Sequence, residues 1–514
     1  MIITVRGNTG VNLNYIQTLC MVFFPGVKFP PDEEKKPDTP CADVLIESSG
    51  GDGTVMSEVR ISVGDRSSAG SYSVSSQHAE ALKMSAERRK KLAVGAAFFE
   101  AGRSLFGYTP PWGVLTGVRP SKLAAEMISG GAENDDIISV LTKEYFVNPK
   151  KAALTLDVAE REAAVLNRAG DQSKSCSVYI SVPFCPTRCN YCSFVSYSTP
   201  KLLSLIPDYI SRLCRDLVRT ADIIRQKGLK VRTVYIGGGT PTVLSDSLLS
   251  ELLYTVSRCI DVSSLEEYTL ESGRPDTVTE DKLKIARRYG VDRISVNPQT
   301  LSDELLSEIG RYHTSEQFYK AFDTARDVGF KTINSDVICG LPGDTFYTFS
   351  NTFDRLAGLA PENLTVHTFC VKRSSSWNAQ GENVFSREGG DTGKCVDYSQ
   401  LRAYAESYYP YYMYRQKNTV GNYENVGWTK AGHEGYYNIY MMEEIHSIYA
   451  VGAGAVTKLV DQKRRGEAAG FGHRSDRSGD PPIKRFFMPK YPYEYLDCGE
   501  GTEQYERFFA QIMN

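Results

Sequence analysis

The sequence predicts an α/β protein built on a partial (β/α)6 barrel, with an N-terminal α/β domain before it and a C-terminal cap region after it. Three observations predict this. Between about residues 175 and 372 a short apolar run followed by a helix-like segment recurs six times. Such strand–helix alternation implies a parallel sheet with helices packed outside. Glycines and single polar residues follow the apolar runs, where barrels carry their chemistry. Composition also shifts at both ends of this middle region, which divides the chain into 1–170, 171–373 and 374–514.

The N-terminal region is expected to open with a strand at Ile2–Val5 and a short helix. The proline- and charge-rich stretch 28–41 reads as a loop. Val44–Ile46 and Val55–Val63 alternate as paired strands do. A Ser/Gly-rich stretch, 64–76, follows. Gln77–Gly107 has helical spacing, and two or three further helices are expected within 121–167. Between these helices lies Pro111-Trp112-Gly113-Val114-Leu115-Thr116-Gly117-Val118-Arg119-Pro120-Ser121-Lys122. It reads either as a packed turn around a buried Trp or as a site where Arg119 and Lys122 meet a carboxylated ligand.

The six barrel strands are expected at Ser177–Val182, Arg232–Ile236, Glu267–Glu271, Arg293–Asn297, Lys331–Ile338 and Leu364–Val371. Helices are expected at 201–227, 245–260, 279–289, 302–328 and 346–359. Beyond residue 374 a polar loop, a helix over Tyr398–Tyr412, a charged and mobile loop over 461–485 and an aromatic segment over Phe486–Tyr495 are expected.

The net charge of −3 gives no electrostatic case for nucleic acid or an acidic membrane surface. No apolar run approaches the roughly 20 residues of a membrane span. Most cysteines are scattered singly, which suits a reducing cytoplasm and not a disulfide framework. Three are not scattered: Cys185, Cys189 and Cys192 stand as C-x3-C-x2-C just after the first barrel strand. Three thiolates can hold three irons of a [4Fe–4S] cluster and leave the fourth open. The alternative is zinc, but zinc sites usually close with a fourth Cys or His nearby, and here Ser193 and Phe194 follow.

This triad resembles that of radical S-adenosylmethionine (SAM) enzymes. Further along, Gly237-Gly238-Gly239-Thr240, Glu271, Asn297-Pro298-Gln299, Arg311, Asp336 and Cys370 follow in order. That succession resembles the oxygen-independent coproporphyrinogen III oxidase (coproporphyrinogen dehydrogenase) family. The Pro-Trp-Gly-x-Leu-Thr-Gly-x-Arg-Pro segment and the extra N-terminal domain place the resemblance in its longer HemZ-type branch. The resemblance implies that Cys185, Cys189 and Cys192 ligate the cluster. It implies that Tyr179, Tyr191, Gly238, Gly239, Thr240 and Glu271 hold a SAM molecule on it. Gln299, Arg311, Asp336 and Cys370 match positions around a second SAM.

The implied reaction takes hydrogen from a propionate of coproporphyrinogen III, releases CO2 and leaves a vinyl group; two rounds give protoporphyrinogen IX. It implies an electron donor of flavodoxin or ferredoxin type and no general base. Arg415 and Lys417 are candidate contacts for substrate propionates, or else a solvated charged face. Two positions depart from the family pattern: Ser181 stands where a His is common, and Phe194 where a fourth Cys is common. Neither removes a cluster ligand. Two other readings stay open. One is a haem chaperone of the same family, although Gly421-Asn422-Tyr423-Glu424-Asn425-Val426-Gly427-Trp428 lacks the His of the chaperones' His-Asn-x-x-Tyr-Trp mark and leaves only His433 or His446 as ligands. The other is a radical SAM enzyme acting on another substrate.

Overall fold

The structure, a computed structural model, describes residues 2–29, 41–51, 53–77, 84–117, 119–192, 194–370, 390–416, 419–461 and 483–513. Most of the loops expected at 28–41, 374–393 and 461–485, and Lys417, lie outside the described residues.

The N-terminal region forms a four-stranded sheet in the order β1-β2-β3-β4. Its strands are β1 (Ile2–Arg6), β2 (Cys41–Gly51), β3 (Thr54–Val63) and β4 (Arg66–Ser75). Helix α1 (Leu13–Phe23) follows β1, and the long helix α2 (Ala86–Phe106) packs on the sheet. Ser85 caps the start of α2 by accepting from the Arg88 amide, and Gly107 ends it in the left-handed region. Strand β4 occupies most of the Ser/Gly-rich stretch 64–76. Its polar residues pair fully with β3, and Gly70 lets the strand lie against α2, where a Cβ would strike the Ala97 carbonyl. Backbone pairing thus overrides a composition poor in strand formers.

Helices α3 (Ser121–Ser129), α4 (Asn134–Ser139) and α5 (Pro149–Ala169) connect this sheet to a second one. The second sheet contains β5 (Ser175–Val182), β6 (Lys230–Gly238), β7 (Glu267–Glu271), β8 (Arg293–Ser295), β9 (Thr332–Cys339) and β10 (Asn363–Thr368), all parallel. Around it lie α6 (Ile206–Gln226), α7 (Asp246–Cys259), α8 (Glu280–Arg288), α9 (Asp303–Glu308), α10 (Ser315–Val328) and α11 (Phe346–Gly358). This is the expected partial barrel of radical SAM type. The single helix expected over 302–328 is two, α9 and α10, because Gly310 turns the chain at φ 70°. The break releases Arg311 from a helical face.

The C-terminal region contributes to the same sheet on both edges, which the sequence did not indicate. After α12 (Thr392–Ala405), strands β11 (Tyr409–Arg415) and β12 (Glu424–Thr429) add antiparallel to β10. After α13 (Tyr436–Met442), strand β13 (Ser447–Val451) adds parallel to β5, and β14 (Val456–Val460) and β15 (Ile483–Phe487) extend that edge. The helix expected to run to Tyr412 stops at Ala405. Tyr409–Arg415 instead pair antiparallel with β12, with a bulge between Pro410 and Tyr412. Helices α14 (Pro492–Asp497) and α15 (Glu503–Met513) close the described chain. No described helix is long and apolar enough to cross a membrane.

Candidate active site

A cavity of about 800 Å³ opens at the C-terminal ends of the parallel strands. The strand period of two builds its wall. Tyr179 on β5, Tyr235 on β6, Thr269 and Glu271 on β7, Ser295 on β8, Asn334 and Asp336 on β9, and Thr365 and His367 on β10 all face it. Tyr179 and Tyr235 stack with Tyr437 of α13, with ring centroids 6.1, 4.8 and 6.4 Å apart around the trio.

The three cysteines line one side of this cavity. Their loop is pinned by backbone hydrogen bonds. Cys185 donates to the Tyr197 carbonyl at 3.0 Å, Tyr197 to Pro183 at 2.9 Å, and Asn190 to Ile309 at 3.0 Å. Phe184 is buried edge-on against Tyr209, 5.0 Å between centroids, and anchors the loop in the core. The Cys185 sulfur lies 3.4 Å from the Thr240 hydroxyl, and Arg274 reaches to 3.9 Å from the Cys189 sulfur. Burial raises the Cys185 thiol to about 11 and raises Cys192 as well, each further held up by its neighbouring cysteines. Free of metal, Cys185 and Cys192 therefore keep their protons at neutral pH, and iron binding displaces them. Among the described residues no three ligating side chains converge on one ion. A cubane differs from a single ion, since each thiolate meets a different iron. A soft, three-thiol donor set beside a guanidinium suits such an anionic cluster.

The glycine triplet has a packing reason. Gly239 donates to the Val182 carbonyl at 2.9 Å and Thr240 to the Phe184 carbonyl at 2.7 Å. A Cβ on Gly239 would strike that same Phe184 carbonyl, and Gly238 sits at φ 108°. The end of β6 thus forms the seat of the cysteine loop. Gly239→Ala is expected to push the loop off this seat at a cost of about 1–3 kcal/mol, cutting iron loaded per chain by at least about half. Iron analysis after anaerobic reconstitution checks this, with far-UV circular dichroism unchanged; full loading would refute it.

Glu271 is raised to about 7, first by burial and then by Asp336, against the Tyr235 hydroxyl and Arg311. Burial also works to raise Asp336, but His367 at 3.7 Å and Asn334 at 2.8 Å outweigh it and leave the carboxyl lowered. Two carboxyl groups on neighbouring walls therefore differ in charge near neutral pH. Arg311 is buried, lies 3.4 Å from the Tyr191 hydroxyl and donates to the carbonyls of Gly273 and Asn297. Gln299 stands at φ 68°, strained for a residue with a side chain, and is held there by Gln299 N–H to Asp336 and Ile338 N–H to Gln299, both at 3.0 Å. Its buried Oε1 has no hydrogen-bond partner among the described residues. A strained backbone that aims an unsatisfied amide at a cavity is prepared for a ligand.

The cavity thus brings together Tyr179, Tyr191, Gly238, Gly239, Thr240, Glu271, Gln299, Arg311, Asp336 and Cys370 with the three cysteines. It does not include Arg119 or Arg415. Arg119 reaches Glu444 at 3.1 Å and Glu443 at 3.6 Å, just past α13, with Lys122 4.0 Å from Glu444. Arg415 is buried, donates to the Leu115 carbonyl and lies 5.2 Å from the Trp112 ring; burial lowers it to about 10, against Glu424 and Tyr108. The Trp-containing segment is therefore a packed turn that ties the connector to the C-terminal strands. Tyr235, Tyr437, Asn438, Met441 and His367 also line the cavity. The period of two on β6 and β10 signals Tyr235 and His367. Nothing local signals α13, which meets the site through contacts distant in sequence.

His433 and His446 are engaged elsewhere. His446 is buried between the Ser177 hydroxyl at 2.9 Å and the Gln172 amide at 3.1 Å, and His433 contacts Thr332 at 2.9 Å at the opposite end of β9. Among the described residues, His367 is the histidine on the cavity wall.

Residues 179–356 match the sequence model of the radical SAM superfamily. Over 410 residues, 79% of this chain and 78% of the relative, the chain is 36% identical to the oxygen-independent coproporphyrinogen-III oxidase-like protein HemZ of Bacillus subtilis. The chain belongs to this radical SAM, oxygen-independent coproporphyrinogen-III oxidase-like family. Radical SAM proteins use a [4Fe–4S] cluster and SAM, and the cysteine loop and barrel mouth described above are where this family member would carry them. It is also 36% identical to the heme chaperone HemW of Bacillus subtilis over 200 residues, 38% of this chain and 51% of that one. Among solved structures, the radical SAM coproporphyrinogen III oxidase HemN of Escherichia coli aligns over 58% of this chain and 67% of that chain, with a TM-score of 0.46 and 21% identity.

Proposed function

We propose that this protein carries out the radical SAM oxidative decarboxylation of coproporphyrinogen III propionates to vinyl groups, giving protoporphyrinogen IX. The observation that supports this reading most is the convergence of the three thiols and the strand-end polar groups on one cavity large enough for a cofactor and a macrocycle edge. Cys185, Cys189 and Cys192 would hold the cluster. When bound, cluster and SAM supply one-electron chemistry that removes a hydrogen atom from an unactivated carbon. Tyr179, Tyr191, Gly238, Gly239, Thr240 and Glu271 would hold SAM at the cluster, and Gln299, Arg311, Asp336 and Cys370 would surround a second SAM. The chain's own part is to bind, orient and exclude water. No side chain is assigned as a general base. The reducing electron would come from a flavodoxin- or ferredoxin-type donor in the cytoplasm.

Anaerobic reconstitution with SAM, a strong reductant and coproporphyrinogen III tests this. Vinyl products formed together with 5′-deoxyadenosine are the expected result. SAM cleavage with an unchanged tetrapyrrole would overturn the substrate. A haem chaperone is the second reading, favoured by the resemblance to HemW and by His367 on the cavity wall. A haemin titration that shifts the Soret band in wild type and not in His367→Ala would support it instead.

Glu271 makes SAM binding depend on pH. The sign follows from its raised carboxyl: below about 7 the group is protonated, and it would have to lose that proton to offer SAM a negative charge and two acceptor oxygens. Affinity is therefore expected to fall by roughly tenfold per pH unit below 7, because one unit is about 1.4 kcal/mol. Equilibrium binding of SAM to the reconstituted protein between pH 5.5 and about 7.5 checks this. Glu271→Gln is expected to bind weakly and without that slope, and a wild-type profile flat with pH would refute the assignment.

A further inference from the structure

Arg274, Arg293, Arg311, Lys458 and Arg485 are the cationic lysine and arginine side chains on the described cavity wall. Three of them are committed within the protein. Arg274 pairs with both oxygens of Asp276 at 3.0 and 3.1 Å. Arg293 donates to the His433 carbonyl at 3.3 Å and the Tyr411 hydroxyl at 3.4 Å. Arg311 donates to the carbonyls of Gly273 and Asn297.

Lys458 and Arg485 are different. They are direct partners across the antiparallel β14–β15 pair. Like charges opposite one another in a sheet destabilise it unless something stands between them. Lys458 spends one N–H on the Met441 carbonyl at 2.9 Å and keeps the others. Among the described residues the Arg485 side chain makes no hydrogen bond or salt bridge. Glu444, the acid felt by Lys458, is itself engaged by Arg119 at 3.1 Å. Burial lowers the Lys458 ammonium to about 8; Glu444 opposes this, while Arg485 and Arg119 add to it. An anion between the two side chains would relieve each of these costs.

The hairpin that carries them adjoins the cysteine loop. Ser181 at the end of β5 donates to the Ala453 carbonyl at 2.9 Å, and a Cβ on Gly454 would meet Val195 at 2.9 Å. A ligand held by Lys458 and Arg485 therefore lies along the wall that also carries the thiols.

We propose that Lys458 and Arg485 form a carboxylate-binding subsite that holds one side-chain carboxylate of a tetrapyrrole while another is presented for reaction. The subsite rests on the reading of the function given above. Arg offers two parallel N–H groups to a carboxylate, and Lys adds a point charge beside it. The pair replaces Arg119 and Arg415 as the cations that select a polycarboxylate.

The test titrates the reconstituted protein with coproporphyrin III, the stable oxidised tetracarboxylate, by fluorescence quenching, and with SAM. In Lys458→Gln and in Arg485→Gln the Kd for coproporphyrin III is expected to rise about tenfold, the loss of one charge-assisted contact. Lys458→Arg is expected to restore tight binding. The tetramethyl ester of the same porphyrin, in one detergent throughout, is expected to bind wild type and variants alike. Unchanged affinity in both variants, against a wild type that binds, would overturn the subsite alone. So would an equal loss of SAM and porphyrin affinity, which marks general disruption. A wild type that binds no coproporphyrin overturns the proposed function and the subsite with it.

Discussion

Reconstituted Cys189→Ala is expected to show no iron–sulfur charge-transfer absorbance and to form 5′-deoxyadenosine from SAM at background. The loop holding Cys185, Cys189 and Cys192 is pinned by backbone hydrogen bonds of Cys185, Asn190 and Tyr197 and by Phe184 sunk in the core. Such a loop does not rearrange to recruit another thiol. Two thiolates then remain for a cluster that needs three from the protein if one iron is to stay open. Cys176→Ala is the control. That cysteine is fully buried on β5, its thiol raised by burial alone, and it lies off the cavity wall. It is expected to load iron as wild type does. Iron and sulfide analysis with SAM cleavage checks both variants. A Cys189→Ala protein that keeps its cluster would sink the ligand assignment.

Glu424→Ala is expected to carry the largest loss of stability, about 3–5 kcal/mol, because it strands a buried charge. Glu424 lies on β12 and accepts from Lys151 at 2.7 Å, Gln400 at 2.7 Å and the Trp112 indole at 2.9 Å. The Lys151 and Glu424 side chains are 3% and 0% exposed. Removing the carboxylate leaves the Lys151 ammonium with Asp397 at 3.2 Å and leaves two buried donors without acceptors. The same truncation at Glu506, whose pair with Arg219 at 2.7 Å is exposed, is expected to cost under about 1 kcal/mol. Denaturant midpoints of the three proteins decide it. Equal costs would show that the network does not tie the connector to the C-terminal strands.

This network explains why the Trp112 segment was ambiguous as a sequence. A Trp beside Gly and Arg fits a packed turn or a ligand site equally well until its partners are known. Those partners, Glu424 and Arg415, lie some three hundred residues away. The same holds for Arg119, whose acids Glu443 and Glu444 directly follow α13.

The sequence by itself determined the repeated strand–helix units, the cysteine triad and the polar residue at each strand end. These are local: the period of two, the helix caps and the spacing of thiols along one loop need no partner to be recognised. Only the tertiary structure decided which cations face the cavity, that Ser-rich 66–75 is a strand, and that β11 to β15 extend both sheet edges. Sheet edges accept any strand whose backbone can pair, so composition does not foretell which segment takes the place. A long cationic side chain, likewise, is directed by the nearest buried acid or carbonyl, and for Arg119, Lys151 and Arg415 those lie hundreds of residues away.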